Sequence, residues 1–95
     1  MFMQKASVKV EGGKMVNLEL EISNEEVKEV RIRGDFFLEP PEKLEELENR
    51  IEGLKTGSTA EEVSENLKDV EADLIGFSHE DIGEAFRKAV EGDEQ

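Results

Sequence analysis

The sequence predicts an α+β fold in a single domain, residues 1–95: a three-stranded antiparallel sheet with about three helices packed on one face. Two observations predict it. Up to Ile32 the apolar residues recur mainly at every second position, which is typical of strands with one buried face. After Pro41 they recur at every third or fourth position, which is typical of helices that bury one stripe. The period changes within residues 30–41, which contain both prolines and two of the five phenylalanines.

The composition excludes several classes of function. The net charge is −13, with 25 acidic and 12 basic side chains, so the surface should repel nucleic acid and anionic lipid. The absence of cysteine excludes disulfides and thiolate metal sites. The first residues are too few and too polar for a signal peptide, and no apolar run approaches the roughly 18 residues that a membrane span needs. We therefore expect a cytoplasmic location.

The first two strands are predicted to form a hairpin closed by residues 12–14. A three-residue loop places Val10 opposite Val16 and keeps the apolar faces of the two strands together. A two-residue Gly-Gly turn would mix the apolar and polar faces. The three-residue loop predicts Lys14 at the exposed tip of the hairpin, outside the strands.

The third strand is predicted over about residues 27–33, after a polar turn. Its apolar side chains point inward and its arginines point outward. The alternation predicts cross-strand charge pairs on the outer face, with Arg31 and Arg33 opposite Glu19 and Glu21.

The segment after the third strand contains the most distinctive local pattern. The third strand is expected to end at Gly34, where the chain leaves the sheet. Asp35 is expected to accept hydrogen bonds from nearby backbone amides in a turn. Phe36 and Phe37 point to opposite sides if the chain is still extended. One ring should then anchor the core, and the other should lie at a surface or an interface.

Three helices follow. Residues 40 and 41, both proline, are predicted to open the first helix, and Gly53 to end it. Ser58 or Thr59 caps the second helix, and Thr59 with Glu62 matches a capping box.

The last helix is predicted to begin at Ser78, a cap with Asp81 three residues on. Residues 74–77, just before it, form either a buried turn or a brief extended piece. His79 is the only histidine, and we expect it to be exposed and to have no catalytic role. The many carboxylates are neighbours on helix faces, whereas an acid–base pair needs two carboxylates flanking a substrate cleft.

Two motifs, in this order and at this spacing, resemble the C-terminal accessory domain of lipoate–protein ligases. They are Gly12-Gly13-Lys14 and Gly34-Asp35-Phe36-Phe37. A Pro-Pro-Glu helix start and the run Ile75-Gly76-Phe77-Ser78-His79-Glu80-Asp81-Ile82 extend the resemblance over roughly residues 9–90.

The resemblance implies a function. In the family this domain usually follows a larger catalytic domain, so a chain that starts at its own methionine resembles the small subunit of a split ligase. The implied reaction converts lipoate and ATP into lipoyl-adenylate. The lipoyl group then passes to a lysine of a lipoyl domain or of the glycine-cleavage carrier protein. ATP, Mg and lipoate are expected on the catalytic subunit of the heterodimer. This chain alone is expected to bind no cofactor and to have no activity.

The resemblance also suggests which residues face the partner or its active site. They are Gly12, Gly13, Lys14, Asp35, Phe36 and Phe37. Lys14 would present a cation to a phosphate or to a partner carboxylate, and an aromatic ring would anchor the interface. No catalytic or metal-binding residue is expected within the chain. The alternative function is a small acidic adaptor that docks a basic partner surface, and an independent enzyme is a third interpretation.

Overall fold

The computed structural model describes residues 2–10 and 14–91, the side chain of Phe2 apart. The elements in chain order are β1 (Phe2–Lys9), β2 (Met15–Ser23), β3 (Glu26–Gly34), β4 (Phe37–Glu39), α1 (Lys43–Ile51), α2 (Ala60–Leu67), β5 (Asp73–Ile75) and α3 (His79–Glu91). Strands β1, β2 and β3 form an antiparallel sheet in that order, and β4 pairs with β5 in a separate ribbon. The predicted α+β fold is confirmed. The ribbon is an addition, in which part of the segment 74–77 is extended.

The alternation of side chains determines which face of the sheet is covered. The inner face is buried at Ala6, Val8, Val16, Leu18, Leu20, Val30 and Ile32. These residues form one core with the apolar stripes of the helices, whose fully buried members include Leu47, Ile51, Val63, Leu67, Ile82 and Phe86. Each side chain of this size stabilises the fold by about 1.5–3 kcal/mol when it leaves water. The predicted inward positions of the third strand are confirmed.

The register of the first hairpin differs from the predicted one. Val8, not Val10, lies opposite Val16, and Lys9 lies opposite Met15. A shift of two residues leaves the apolar side chains on the inner face, so matching the faces cannot distinguish the two registers. The N–H of Val10 donates to the carbonyl of Lys14 at 2.7 Å.

One of the two predicted charge pairs on the outer face is wrong. Arg31 lies opposite Glu19, as expected, although the two side chains do not approach within the 4.0 Å of an ion pair. Arg33 lies opposite Asn17 rather than Glu21. In an antiparallel pair, a step forward on one strand is a step backward on the other, so both arginines could meet a glutamate only as Arg31 with Glu21 and Arg33 with Glu19, a register that does not form.

The first helix begins later than predicted. Pro40 and Pro41 form the preceding turn, in which their carbonyls accept hydrogen bonds from the N–H groups of Lys43 and Leu44 at 3.0 and 3.1 Å. Proline has no N–H of its own, so it fits a turn that only uses its carbonyl. Gly53 lies just beyond the helix end with a φ of 91°, as expected for a C-terminal stop.

Both predicted helix caps are confirmed. The N–H of Glu62 donates to Thr59 Oγ1 at 3.0 Å, and Glu62 Oε1 accepts from the N–H of Thr59 at 2.9 Å. The N–H of Asp81 donates to Ser78 Oγ at 3.2 Å, and Asp81 Oδ2 accepts from the N–H of Ser78 at 2.8 Å. These reciprocal bonds fix the starts of α2 and α3.

Within residues 2–10 and 14–91, no helix is both long enough and apolar enough to cross a membrane.

The turn between β2 and β3 contains a strained residue. Asn24 and Glu25 have φ values of 56° and 62°, the conformation of a two-residue hairpin turn whose second position favours glycine. We expect Glu25→Gly to stabilise the domain by about 0.5–1 kcal/mol, because it removes the steric cost of the left-handed conformation. Urea denaturation measures the change. Glu25→Gln, which removes the charge but keeps the strain, should leave the stability nearly unchanged, and an equal gain in that variant would contradict the explanation.

Candidate functional site

One end of the sheet brings together four of the six residues that the sequence suggested as partner-facing. With the residues that contact them they form a group that we call the loop-end cluster: Lys14, Met15, Asp35, Phe36, Phe37, Ile75, Gly76 and Phe77. The other two suggested residues, Gly12 and Gly13, lie outside the described residues. The cluster joins three distant stretches of the chain, because the start of β2, with Lys14 just before it, meets the ends of β3 and β5 there.

Asp35 ties the end of β3 to the start of β2. Its Oδ1 accepts a hydrogen bond from the N–H of Met15 at 2.7 Å. The sequence predicted a bond to a nearby amide within a turn, whereas the partner is 20 residues away. This bond joins the start of β2 to the residue that follows β3, so Asp35 helps to fix the geometry of the cluster.

Phe36 and Phe37 point to opposite sides, as predicted. Phe36 stacks on Phe77 with ring centroids 4.0 Å apart and planes inclined by 22°, and it packs against the core. Phe37 is 65% exposed and lies opposite Ile75 in the ribbon, which is itself 48% exposed. Phe36 therefore anchors this segment to the core, whereas Phe37 and Ile75 form an exposed apolar pair.

Lys14 lies outside the strands, as predicted, but it is half-buried rather than at an exposed tip. Its side-chain methylenes cover Gly76: Lys14 Cγ, Cδ and Cε lie 3.5, 3.8 and 3.7 Å from the point where a Cβ on Gly76 would be. A lysine stem packs well on such a surface while its ammonium group stays in water. Gly76 has a φ of 92°, a backbone conformation that residues with a side chain rarely adopt, so this position suits glycine.

The sequence analysis did not name Met15, Ile75, Gly76 or Phe77 as site residues. Ile75, Gly76 and Phe77 lie in a short run that the sequence marked only as a buried turn or an extended piece. The glycine within this apolar run is the one local signal of a special backbone conformation. Nothing local indicates the pairing with Phe37, which arises only when the chain folds back.

The cluster contains a lysine and a hydrogen-bonded aspartate, but no serine, threonine, cysteine, histidine or tyrosine. Across the part of the chain that the structure describes, no group of three histidine, cysteine, aspartate or glutamate side chains could hold a metal ion. His79 is half-buried rather than exposed, and its Nε2 atom is buried without a hydrogen-bond partner among the described residues. The arrangement of the cluster is suited to docking and to positioning one positive charge.

Two shifted pKa values belong to the surface formed by α2 and α3 rather than to the loop-end cluster. The hydrogen bond to Glu65, 3.0 Å long, raises the pKa of Lys68. A hydrogen bond from its own backbone amide lowers the pKa of Glu80, and the Lys68 ammonium 3.6 Å away acts in the same direction. Both side chains are exposed, so these contacts are surface ion pairs of small energetic weight.

Comparison with known proteins identifies the family. The family described as "Bacterial lipoate protein ligase C-terminus" matches residues 1–86. No curated protein sequence matches the chain. A solved structure from Thermoplasma acidophilum, described as an archaeal lipoylation system with a bi-partite lipoate protein ligase and its E2 lipoyl domain, contains a chain of the same fold. The TM-score is 0.75 at 22% identity, over 90% of this chain and 96% of that one. This chain therefore belongs to the family of lipoate protein ligase C-terminal domains.

Proposed function

We propose that this chain is the accessory subunit of a two-component lipoate–protein ligase. It acts with a separate catalytic subunit in the ATP-dependent activation of lipoate to lipoyl-adenylate, which precedes transfer to a lysine of a lipoyl-acceptor protein. Family membership supports a role in lipoylation. The fold shared with a chain from a system described as bi-partite supports a two-component arrangement.

The observation that carries the proposal is the exposed apolar pair. Phe37 and Ile75 are two of the three large apolar side chains that are exposed in the described part of the chain, and they lie opposite each other. An exposed pair of this kind in an otherwise charged surface is typical of an interface anchor. A groove of about 350 Å³ beside it, lined in part by Leu38, Pro41 and Leu44, offers a concave surface to the partner.

The contribution to chemistry follows from this placement. A chain that docks over an active site can exclude water and hold reacting groups in position without supplying a nucleophile. In the proposed complex, Phe37 and Ile75 anchor the subunit, and the Lys14 ammonium faces a phosphate or a partner carboxylate. ATP, Mg and lipoate bind to the catalytic subunit.

The test is lipoate-dependent ATP–pyrophosphate exchange, measured with the catalytic subunit from the same source, with and without this chain. We expect exchange only when both chains are present. If the catalytic subunit is fully active alone and this chain neither binds nor alters it, the accessory role is wrong. Binding that is abolished by salt, with no effect on exchange, would instead favour the acidic adaptor.

Lys14→Ala tests the role of the cation. We expect the variant to form the complex but to lower the exchange rate about tenfold or more, since a hydrogen bond to a charged group contributes about 1.5–3 kcal/mol. Lys55→Ala is the matched control, because it removes a lysine side chain in the connection between α1 and α2, away from the loop-end cluster. If Lys14→Ala and Lys55→Ala behave alike in both binding and exchange, Lys14 has only a structural role.

A further inference from the structure

The outer face of the sheet has no element packed on it within residues 2–10 and 14–91. Its side chains form rows across the three strands, and those of β1 and β3 are exposed. From the hairpin connection toward the β2–β3 turn, the rows are Lys9 with Met15, Ser7 with Asn17 and Arg33, Lys5 with Glu19 and Arg31, and Met3 with Glu21 and Glu29. Basic residues occupy the first three rows, and the acidic pair lies in the last.

Charge is therefore segregated in this molecule. We call the first three rows, with the adjoining Lys14 and Asp35, the cationic face. It contains five cations (Lys5, Lys9, Lys14, Arg31 and Arg33) and two carboxylates (Glu19 and Asp35), a local charge of +3. The remaining seven cations and 23 carboxylates, among them Glu11, sum to −16. A partner that contacts the first three rows meets mainly cations, whereas the row of Glu21 and Glu29 and the glutamates of α1 border the face.

The cations of this face are not neutralised within the described parts of the chain. None of the five has a nitrogen within 4.0 Å of a described carboxylate oxygen. Five of the other seven cations do form such pairs: Lys28, Lys43, Arg50, Lys68 and Arg87. The charges of the cationic face therefore remain available to a partner.

The shape of the face indicates the class of that partner. The strands are about 4.8 Å apart and alternate side chains along a strand about 7 Å apart, so the cations are spread rather than convergent. A depression near Glu21 and Glu29 measures only about 10 Å³, and a wider groove of about 470 Å³ beside Arg31 and Arg33 lies at the edge of β3, where glutamates of α1 also line it. A flat, open face does not enclose a small polyphosphate, which binds in concave sites. Cations spread over a flat strand face match carboxylates spread over a protein surface, and the function proposed above supplies a protein partner.

The cationic face is continuous with the apolar pair. The stem of Lys14 lies on Gly76, and Gly76 follows Ile75, which pairs with Phe37. We propose that the cationic face docks an acidic surface of the catalytic subunit, the same partner that covers Phe37 and Ile75, and this inference rests on the function proposed above. The apolar pair slows dissociation of the complex. The cations speed association and orient the loop-end cluster toward the partner.

Charge reversal at two positions tests the proposal. Lys9→Glu and Arg33→Glu are suitable because Lys9 lies opposite Met15 and Arg33 opposite Asn17, so neither substitution creates a like-charge pair across strands. We expect each to slow association with the catalytic subunit about tenfold at about 0.1 M salt. At about 1 M salt, where the screening length is about 3 Å, the difference from the unaltered chain should vanish.

Lys55→Glu is the matched control, because it makes the same charge change at an exposed lysine outside the face, and its association rate should not change. Thermal melting of each variant alone checks that the fold is retained. If the unaltered chain binds and the two charge-reversal variants associate with the catalytic subunit as fast as it does, the inference is wrong while the proposed function stands. Normal association combined with a raised KM for the acceptor protein would assign the face to the acceptor and would also overturn it. If the unaltered chain does not bind the catalytic subunit at all, the proposed function fails first.

Discussion

Gly34→Ala is expected to destabilise the domain by about 2–3 kcal/mol, because the added methyl group would overpack a site where two strands approach closely. A Cβ on Gly34 would meet the carbonyl oxygen of Met15 and would lie 2.6 Å from the ring of Phe36. The first of these neighbours is backbone within the sheet and cannot move without breaking the register. The second is the ring that stacks on Phe77, so the substitution should displace the rest of the loop-end cluster as well.

Urea denaturation measures this effect, and Gly57→Ala is the matched control. Nothing lies within 4 Å of a Cβ on Gly57, so its replacement should change the stability by less than about 0.5 kcal/mol. The ATP–pyrophosphate exchange assay at saturating chain concentration gives a second readout, in which Gly34→Ala should be defective even when folded. Equal stability of the two alanine variants would show that the end of β3 adapts more easily than its contacts indicate.

Phe36→Ala and Phe37→Ala are expected to have opposite effects, although the two residues are neighbours. Phe36→Ala should destabilise the fold by about 2–3 kcal/mol, less than a fully buried phenylalanine, because the ring is half-buried and stacked on Phe77. Phe37→Ala should leave stability within about 0.5 kcal/mol, because its ring is 65% exposed. It should instead weaken the complex with the catalytic subunit by about 2 kcal/mol, which is about 30-fold in Kd.

Denaturation of the isolated chain and titration with the catalytic subunit separate these outcomes. Met3→Ala is the control for loss of an exposed apolar side chain, since Met3 is 53% exposed on the outer face of β1, outside the loop-end cluster. It should change neither stability nor affinity appreciably. If Phe37→Ala unfolds the domain, or if it binds as well as the unaltered chain, Phe37 is not the anchor of the interface.

The predictions that succeeded depend on patterns within one element. The inner positions of the third strand follow from a period of two, and the Thr59–Glu62 capping box depends on residues three apart. The position of the first helix was less accurate, because prolines suit both the turn before a helix and its first turn.

The predictions that failed depend on how elements meet. Two registers of the first hairpin bury the same face, and only the packed molecule selects the pairing of Val8 with Val16. Asp35 could accept a hydrogen bond from any amide within reach, and the fold places the N–H of Met15 there. The ribbon of β4 and β5 joins segments far apart in the sequence, and each of its strands has only three residues, too few to show a period.

The sequence by itself determined the α+β architecture, the buried faces and the helix caps, because each is decided by a short pattern of apolar and hydrogen-bonding side chains. It also indicated that one of the two adjacent phenylalanines is exposed. Only the tertiary structure decided that this residue is Phe37, that Ile75 lies opposite it while Lys14 covers Gly76, and that five of the twelve cations lie on or beside one uncovered face. These features arise from contacts between distant segments, and such contacts are selected by the packing of the whole core rather than by local preference.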